Sequence, residues 1–226
     1  EPQKLAELFV ADAHSRQDTK EKAHRLREAA RIYVDSLSDP EAAANVLREA
    51  RAADPTDGIL LLELVDTLSA SGELKSAVSE ITSALETIAE DDPLRADLVG
   101  RRALFRSRLN EMDGALQDFE EAVGKGKQDL RAYLAEHLGK MAVQAAGRGD
   151  VALWRMHRLR IANLRLEIGD IEEARNVLTE LLKTDSKDRA TLRAIAHVDE
   201  LEERWDTASA TYRRLVGLEE GEGIVT

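Results

Sequence analysis

The chain of 226 residues is 43% hydrophobic, 4% aromatic and 34% charged, with 13 Gly, 4 Pro and no Cys. Its net charge of −12, from 44 acidic and 32 basic residues, argues against nucleic-acid binding, which depends on neutralising phosphates. The lack of Cys excludes disulfides, thiolate metal sites and a Cys nucleophile, and no apolar run approaches the roughly 20 residues that cross a bilayer.

The elements predicted along the chain are helices, because no run of β-branched residues alternates with polar ones as in a strand. Asp39-Pro40 and Asp92-Pro93 each start a helix, with Asp as the N-cap and Pro at the first helical position. Asp150 follows a turn and is expected to cap another helix. We predict an all-α fold of about twelve helices, each antiparallel to its neighbour.

The stretch IGDIEEARNVLTELLKTDSKD, residues 168–188, contains a Gly-Asp turn followed by an acidic helix. Asp170 is predicted to cap this helix, with Glu173 completing a capping box. Adjacent carboxylates on a helix diverge around its axis, so they do not converge on one substrate atom. The acidic residues here therefore indicate helix punctuation rather than catalysis.

The same pattern recurs along the chain when it is aligned on Ala174. The matching alanines are Ala43, Ala77, Ala115, Ala174 and Ala208. Four residues after each is a large side chain: Leu47, Ile81, Phe119, Leu178 or Tyr212. Five residues before each is a turn-prone or polar residue: Ser38, Gly72, Asn110, Gly169 or Glu203. Positions i and i+4 share a helix face, so each alanine and its large partner are predicted to be buried between two helices.

These helix-turn-helix units resemble those of bacterial-type tetratricopeptide repeat proteins, a family whose repeat unit has 34 residues. The resemblance covers residues 24–124 and 155–217, and Pro55 in ADPTD corresponds to the family's terminal proline. It implies a solenoid of antiparallel helix pairs that winds into a right-handed superhelix. Since the chain starts at Glu1 without Met, we expect it to be a fragment of something longer.

A longer period indicates an internal duplication within this single solenoid. The number of residues from Ala43 to Ala174 equals the number from Ala77 to Ala208. The segment AANVLRE (43–49) also matches ARNVLTE (174–180). The predicted blocks are 3–128 and 129–219, each opening with an extra helix, near 3–16 and 129–146, and 220–226 is predicted to be a flexible tail.

Motifs that could carry chemistry have simpler interpretations. GKGKQD, residues 124–129, lacks the strand, the glycine spacing and the Lys-Ser/Thr of a phosphate loop. The five histidines are scattered, although His24 and His157 occupy equivalent positions in the two blocks, which indicates packing or a shared electrostatic role. No nucleophile is coupled to a His and an Asp. We expect no catalytic residue, no cofactor and no metal site.

Two basic helices interrupt the acidic background, at residues 95–109 and 155–165. Arginines on such helices usually pair with acidic neighbours while their stems cover apolar surface. The alternative is a positively charged groove that holds an acidic peptide.

The family resemblance implies that the first helices of successive pairs line a concave face on which ligand peptides lie. The outward positions expected to bind a partner are Leu62, Asp66, Leu104, Met156, Leu159, Asn163, Leu166, Arg193 and His197. Asn163 with Arg193 resembles a fragment of the family's carboxylate clamp. The apolar members could equally belong to the core.

We therefore expect a non-catalytic scaffold that binds a protein or peptide. The alternative is an accessory or sensor repeat domain of a larger enzyme or transcriptional regulator. We expect no nucleic-acid or membrane partner, a cytoplasmic location, and a monomer or weak homodimer formed through end helices.

Overall fold

The computed structural model describes the backbone of residues 1–222 and the side chains of residues 1–218, and this part of the chain contains helices and no strand. The twelve α-helices are α1 (Pro2–Ser15), α2 (Thr19–Asp35), α3 (Pro40–Ala53), α4 (Gly58–Ala70), α5 (Leu74–Leu85), α6 (Pro93–Arg108), α7 (Met112–Gly124), α8 (Arg131–Gly147), α9 (Val151–Glu167), α10 (Ile171–Thr184), α11 (Arg189–Leu201) and α12 (Trp205–Glu222). One turn of 3₁₀ helix, Gln128–Leu130, precedes α8. The predicted all-α class and helix number are confirmed.

The chain divides into two compact units, Glu1–Lys127 and Gln128–Thr226. In unit 1, helices that are consecutive between α1 and α7 pack against each other, and α4 also contacts α6. In unit 2, α8 to α12 pack in the same consecutive way, and α9 also contacts α11. The first helices of the predicted pairs are α2, α4 and α6 in unit 1 and α9 and α11 in unit 2.

The burial of the five repeat alanines confirms the repeat positions that were predicted from them. All five alanines are essentially inaccessible, and four of the five large residues that follow them are buried as well. Tyr212 is the exception, because 38% of it is exposed. The prediction was wrong there because α12 is the last described helix, and among the residues that the structure describes no further helix covers its outer face.

The five predicted turn residues share one backbone conformation. Each has a positive φ, between 52° at Ser38 and 85° at Gly72. This left-handed conformation ends the first helix of each pair and lets the chain reverse, with N–H groups beyond the helix returning to its last carbonyls. At one such end, the Asp170 N–H donates to the Arg165 carbonyl at 2.8 Å. The spacing of turn residues therefore predicted the ends of five helices.

The helix starts are also mostly as predicted. The side chains of Asp39, Asp92, Asp150 and Asp170 each accept a hydrogen bond from a backbone N–H in the first turn of α3, α6, α9 and α10, respectively. The capping box at α10 is formed only in half. The Glu173 N–H donates to Asp170, but the Asp170 N–H is already bound to the carbonyl of Arg165.

The predicted extra helices near 3–16 and 129–146 correspond to α1 and α8. The internal duplication itself stays a prediction. Residues 220–222 of the predicted tail belong to α12, and residues 223–226 lie outside the described part of the chain.

Candidate partner-binding surfaces

Three of the nine predicted binding residues lie on α4 and α6 of unit 1, which we name the α4–α6 surface. Leu62 and Leu104 are half-buried there, and Asp66 is exposed. Asp66 forms an ion pair with Arg101, which joins α4 to α6. The sequence therefore located Asp66 correctly on the surface, and the structure adds that its carboxylate bridges two neighbouring first helices.

A second polar contact joins α2 to α4. The Arg27 guanidinium donates to both carboxylate oxygens of Glu63, at 2.6 and 2.7 Å, and Arg31 donates to the same carboxylate at 3.1 Å. Although burial opposes ionisation of Glu63, hydrogen bonds from the two arginines hold its pKa below the ordinary value. The first helices of unit 1 are thus tied to one another by ionised side chains.

The other six predicted residues lie on α9 and α11 of unit 2, which we name the α9–α11 surface. Met156, Asn163, Arg193 and His197 are exposed, and Leu159 and Leu166 are half-buried. Met156 is notable because 56% of this apolar residue is accessible to solvent. The His197 Nδ1 lies 3.5 Å from a carboxylate oxygen of Glu200. The two helices that carry these residues, α9 and α11, contact each other.

Most arginines of the two basic helices pair with carboxylates, as predicted. The pairs in α6 are Arg95–Glu121, Arg101–Asp66, Arg102–Asp118 and Arg106–Asp118, and those in α9 are Arg155–Asp185, Arg158–Glu180 and Arg165–Asp170. Each guanidinium in these pairs already has an anionic partner within the protein. These paired arginines therefore do not favour the alternative, a basic groove that binds an acidic peptide.

The sequence reasoning did not find the buried carboxylate Asp118. Arg102 holds both of its oxygens, at 2.8 and 2.9 Å, and Arg106 donates to one of them at 2.9 Å. The signal was present, because Asp118 occupies the buried face of α7, three residues after Ala115. A carboxylate on that face requires a cationic partner, and Arg102 and Arg106 are one helical turn apart on the facing helix.

The two histidines at equivalent repeat positions have different environments. His24 is exposed, whereas His157 is buried together with His137 of the adjacent helix α8. Neither ring nitrogen of His157 has a hydrogen-bond partner among the side chains and backbone that the structure describes. Burial, followed by the charge of Arg160, lowers the pKa of His157. The equivalent repeat positions therefore do not give the two histidines the same electrostatic environment.

The described residues offer neither a metal cluster nor a membrane span. Across residues 1–222, no three His, Asp or Glu side chains are grouped so that they could hold a metal ion. None of the helices in the same range is both long and apolar enough to cross a membrane.

Stacked helix pairs with buried alanines at each crossing define a helical-repeat protein. Residues 36–102 match the tetratricopeptide repeat family, which confirms over this stretch the resemblance predicted from the sequence. No curated protein matches the chain.

Several solved structures are similar to this chain. A tetratricopeptide repeat protein from Parabacteroides merdae is 18% identical, covers 86% of this chain and 79% of its own, and has a TM-score of 0.45. YrrB, described as a tetratricopeptide repeat protein with an unusual peptide-binding site, is 14% identical over 95% of this chain and 94% of its own, with a TM-score of 0.42. The TPR2AB domain of yeast Sti1, in a complex with pHSP90, is 11% identical over 87% and 90%, with a TM-score of 0.43.

Proposed function

We propose that the chain is a non-catalytic scaffold that binds a peptide or protein partner through its first helices, chiefly on the α9–α11 surface. The observation that carries this proposal is the exposure of Met156, Asn163, Arg193 and His197 on two helices in contact with each other. A helical repeat presents a long surface without needing a reactive centre, which suits it to this role.

The chemistry of the α9–α11 surface supports binding of an extended segment with an apolar anchor. The thioether of Met156 is adaptable and suits an apolar side chain. The Asn163 amide has both donors and an acceptor, so it can bind a peptide group. His197 supplies a further ring nitrogen on the neighbouring helix. The surface thus combines apolar contact with polar groups that fix the orientation of a ligand.

The α4–α6 surface is a weaker candidate for the same role. Asp66 is already engaged by Arg101, and Leu62 and Leu104 are half-buried. A ligand that used Asp66 would have to displace an arginine, and it would gain little apolar area from the two leucines. We therefore assign these three residues to the packing and bridging of first helices, and the α9–α11 residues to the partner.

Site-specific photo-crosslinking tests the proposal. A photoreactive amino acid is placed at Met156 and, in a control variant, at Val143, an apolar residue of α8 that is 73% exposed. We expect a protein adduct in cell lysate from position 156 and not from position 143. The adduct should be lost when Asn163 and His197 are both replaced by Ala in a chain that remains helical by circular dichroism.

Adducts of equal yield from both positions, or an adduct at 156 that the double substitution leaves unchanged, would contradict the assignment of the surface. Sequencing the adduct by mass spectrometry identifies the bound segment. A segment with an apolar anchor opposite position 156 is the expected result.

A further inference from the structure

Two histidines are buried where α8 packs against α9, and the proposed function uses neither. His137 of α8 is 1% exposed, His157 of α9 is 2% exposed, and the two rings interact electrostatically. A neutral imidazole is tolerated in such a place, but an imidazolium carries a charge and two N–H donors that lose their water there. The ring nitrogens of His157 find no acceptor or donor among the described groups. A proton added to His157 therefore turns a tolerated buried group into a costly one.

The charges near His157 on α8 and α9 do not compensate for an added proton. Burial is the main cause of its lowered pKa, and the charge of Arg160, one turn along the same helix, adds to it. The His137 ring opposes protonation as well. Within the described part of the chain, Asp150 is the group whose charge favours it. That carboxylate already caps α9, where it accepts a hydrogen bond from the Leu153 N–H at 3.0 Å.

The carboxylates that α10 and α11 bring to α9 are also engaged. Glu180 of α10 pairs with Arg158. Asp185 and Asp188, on either side of the turn between α10 and α11, both pair with Arg155, with nitrogen–oxygen distances of 3.1 and 3.0 Å. An imidazolium on α9 would have to compete with an arginine for each of these anions.

The helix α8 is held less firmly than α9. Within unit 2 it packs against α9, whereas α9 packs against α8, α10 and α11. One end of α8 joins α9 through the turn at Gly149. The other end is tied to α9 by an ion pair between Arg131 and Glu167, which is 3.0 Å long and partly exposed, and such pairs contribute little to stability. In unit 2, α8 can therefore separate from α9 while α9 keeps its contacts with α10 and α11.

We propose that the α8–α9 contact is a proton-sensitive joint, in which protonation of His157 releases α8 from α9 while α9 to α12 stay packed. The released form hydrates the imidazolium. It also uncovers the buried face of α8, which includes Leu134 and Leu138. Mild acid thus exposes apolar surface at one end of unit 2.

The direction of the response follows from the pKa of His157. This pKa is lowered in the closed form and returns to its ordinary value of 6.5 when the released ring is hydrated. The open form therefore binds more protons than the closed one. The contact is intact above that pH and weakens as the pH falls through it.

The equivalent position in unit 1 provides a natural control. The His24 side chain on α2 is 65% exposed, and its Nε2 lies 3.7 Å from a carboxylate oxygen of Glu28. A proton on His24 keeps its water and has an anion nearby, so it should not disturb the packing of α2. The same residue type at the same repeat position is thus responsive only where a neighbouring helix buries it.

Hydrogen exchange of the parent chain tests the proposal. Exchange is measured at about pH 7.5 and about pH 5.5, which bracket the ordinary histidine value. The rates are compared as protection factors, which removes the intrinsic dependence of amide exchange on pH. We expect the protection factors of α8 to fall by up to about tenfold at the lower pH, the limit for one added proton over this range. Those of α10 and α11 should change less.

Two phenylalanine variants assign the effect to one ring. His157→Phe keeps a buried ring but takes up no proton, so it should abolish the loss of protection in α8. His24→Phe is the matched control at the equivalent exposed position, and it should leave that loss intact. A titration of the His157 ring by nuclear magnetic resonance needs no substitution. We expect its midpoint below pH 6.5 and in the range where α8 loses protection.

Four results would overturn the proposal. The first is an α8 whose protection depends on pH no more than that of α10, and the second is a loss that persists in His157→Phe. The third is a His157 ring that titrates at or above pH 6.5. The fourth is a loss shared equally by α8 to α12, which would show that the proton unfolds unit 2 as a whole.

Discussion

A substitution that adds one methyl group in the turn between α9 and α10 tests whether the turn positions of the repeat were predicted correctly. Gly169 has a φ of 82°, and a Cβ built there meets no atom within 4 Å. The cost of Gly169→Ala is therefore conformational rather than steric. Placing an L-residue in the left-handed region costs about 1–2 kcal/mol. The smaller entropy of the unfolded chain returns about 0.4–1 kcal/mol, so we expect a net loss of about 1 kcal/mol of unfolding free energy.

At the turn between α11 and α12 we predict the opposite effect, a gain in the free energy of unfolding. Glu203 adopts the same conformation, with a φ of 57°, although it carries a side chain. Glu203→Gly removes the left-handed strain and should stabilise unit 2 by about 0.5–1 kcal/mol. Gly139→Ala is the matched control for the first substitution. Gly139 lies inside α8 with open space around its Cβ position, so alanine there should stabilise the helix by about 0.5–1 kcal/mol.

Urea unfolding followed by tryptophan fluorescence measures all three variants. The chain has two tryptophans, Trp154 in α9 and Trp205 in α12, so the signal reports on unit 2. The expected order of stability is Glu203→Gly and Gly139→Ala above the parent, and Gly169→Ala below it. A Gly169→Ala variant as stable as the parent would refute the account of these turns.

Three further predictions concern buried groups. Ala174→Trp should overpack the crossing of α9 and α10 and lower the free energy of unfolding by about 1–3 kcal/mol in the same urea assay. An unchanged unfolding midpoint would show that Ala174 does not lie at the helix interface. Asp118→Ala should cost about 2–3 kcal/mol by circular dichroism, because Arg102 and Arg106 lose their shared carboxylate but can still reach water. His157 has a lowered pKa, so the folded chain binds fewer protons than the unfolded one. The stability of unit 2 should therefore fall as pH drops below the ordinary histidine value of 6.5, and a His157→Phe variant should show a smaller decline.

The features that the sequence predicted best are those set by neighbours along the chain. Asp39 and Asp92 cap helices because a cap needs only the first turn that follows it. Ser38 and Asn110 end helices because the break falls at a fixed distance before each buried alanine. The tetratricopeptide resemblance follows from the same local spacing, and it is confirmed over residues 36–102.

The features that it missed depend on a neighbouring helix and not on the local spacing alone. Tyr212 has the residue type of a buried position, but its exposure depends on whether another helix follows. His24 and His157 occupy equivalent positions in the pattern, but only His157 is enclosed. Glu173 has the spacing of a capping box, but the end of the preceding helix uses the N–H that it would bind. Each outcome is decided by a second element that the local pattern does not specify.

The candidate site lies between these cases. The family resemblance selected nine residues that are all at least partly exposed, from Leu62 on α4 to His197 on α11. It was not sufficient to show that Arg101 engages Asp66, because that contact joins different repeats. The assignment of the α9–α11 surface to a partner stays a proposal.

The central claim is that a partner binds along the first helices of unit 2, and hydrogen exchange tests it most directly. Amide exchange in a helix reports its local opening, so a bound ligand slows exchange in the helices that it covers. The chain should be compared alone and with the segment identified by crosslinking at position 156. We expect added protection in α9 and α11, and none in α3 or α5. Protection confined to α10 or to unit 1, with α9 and α11 unchanged, would contradict the claim.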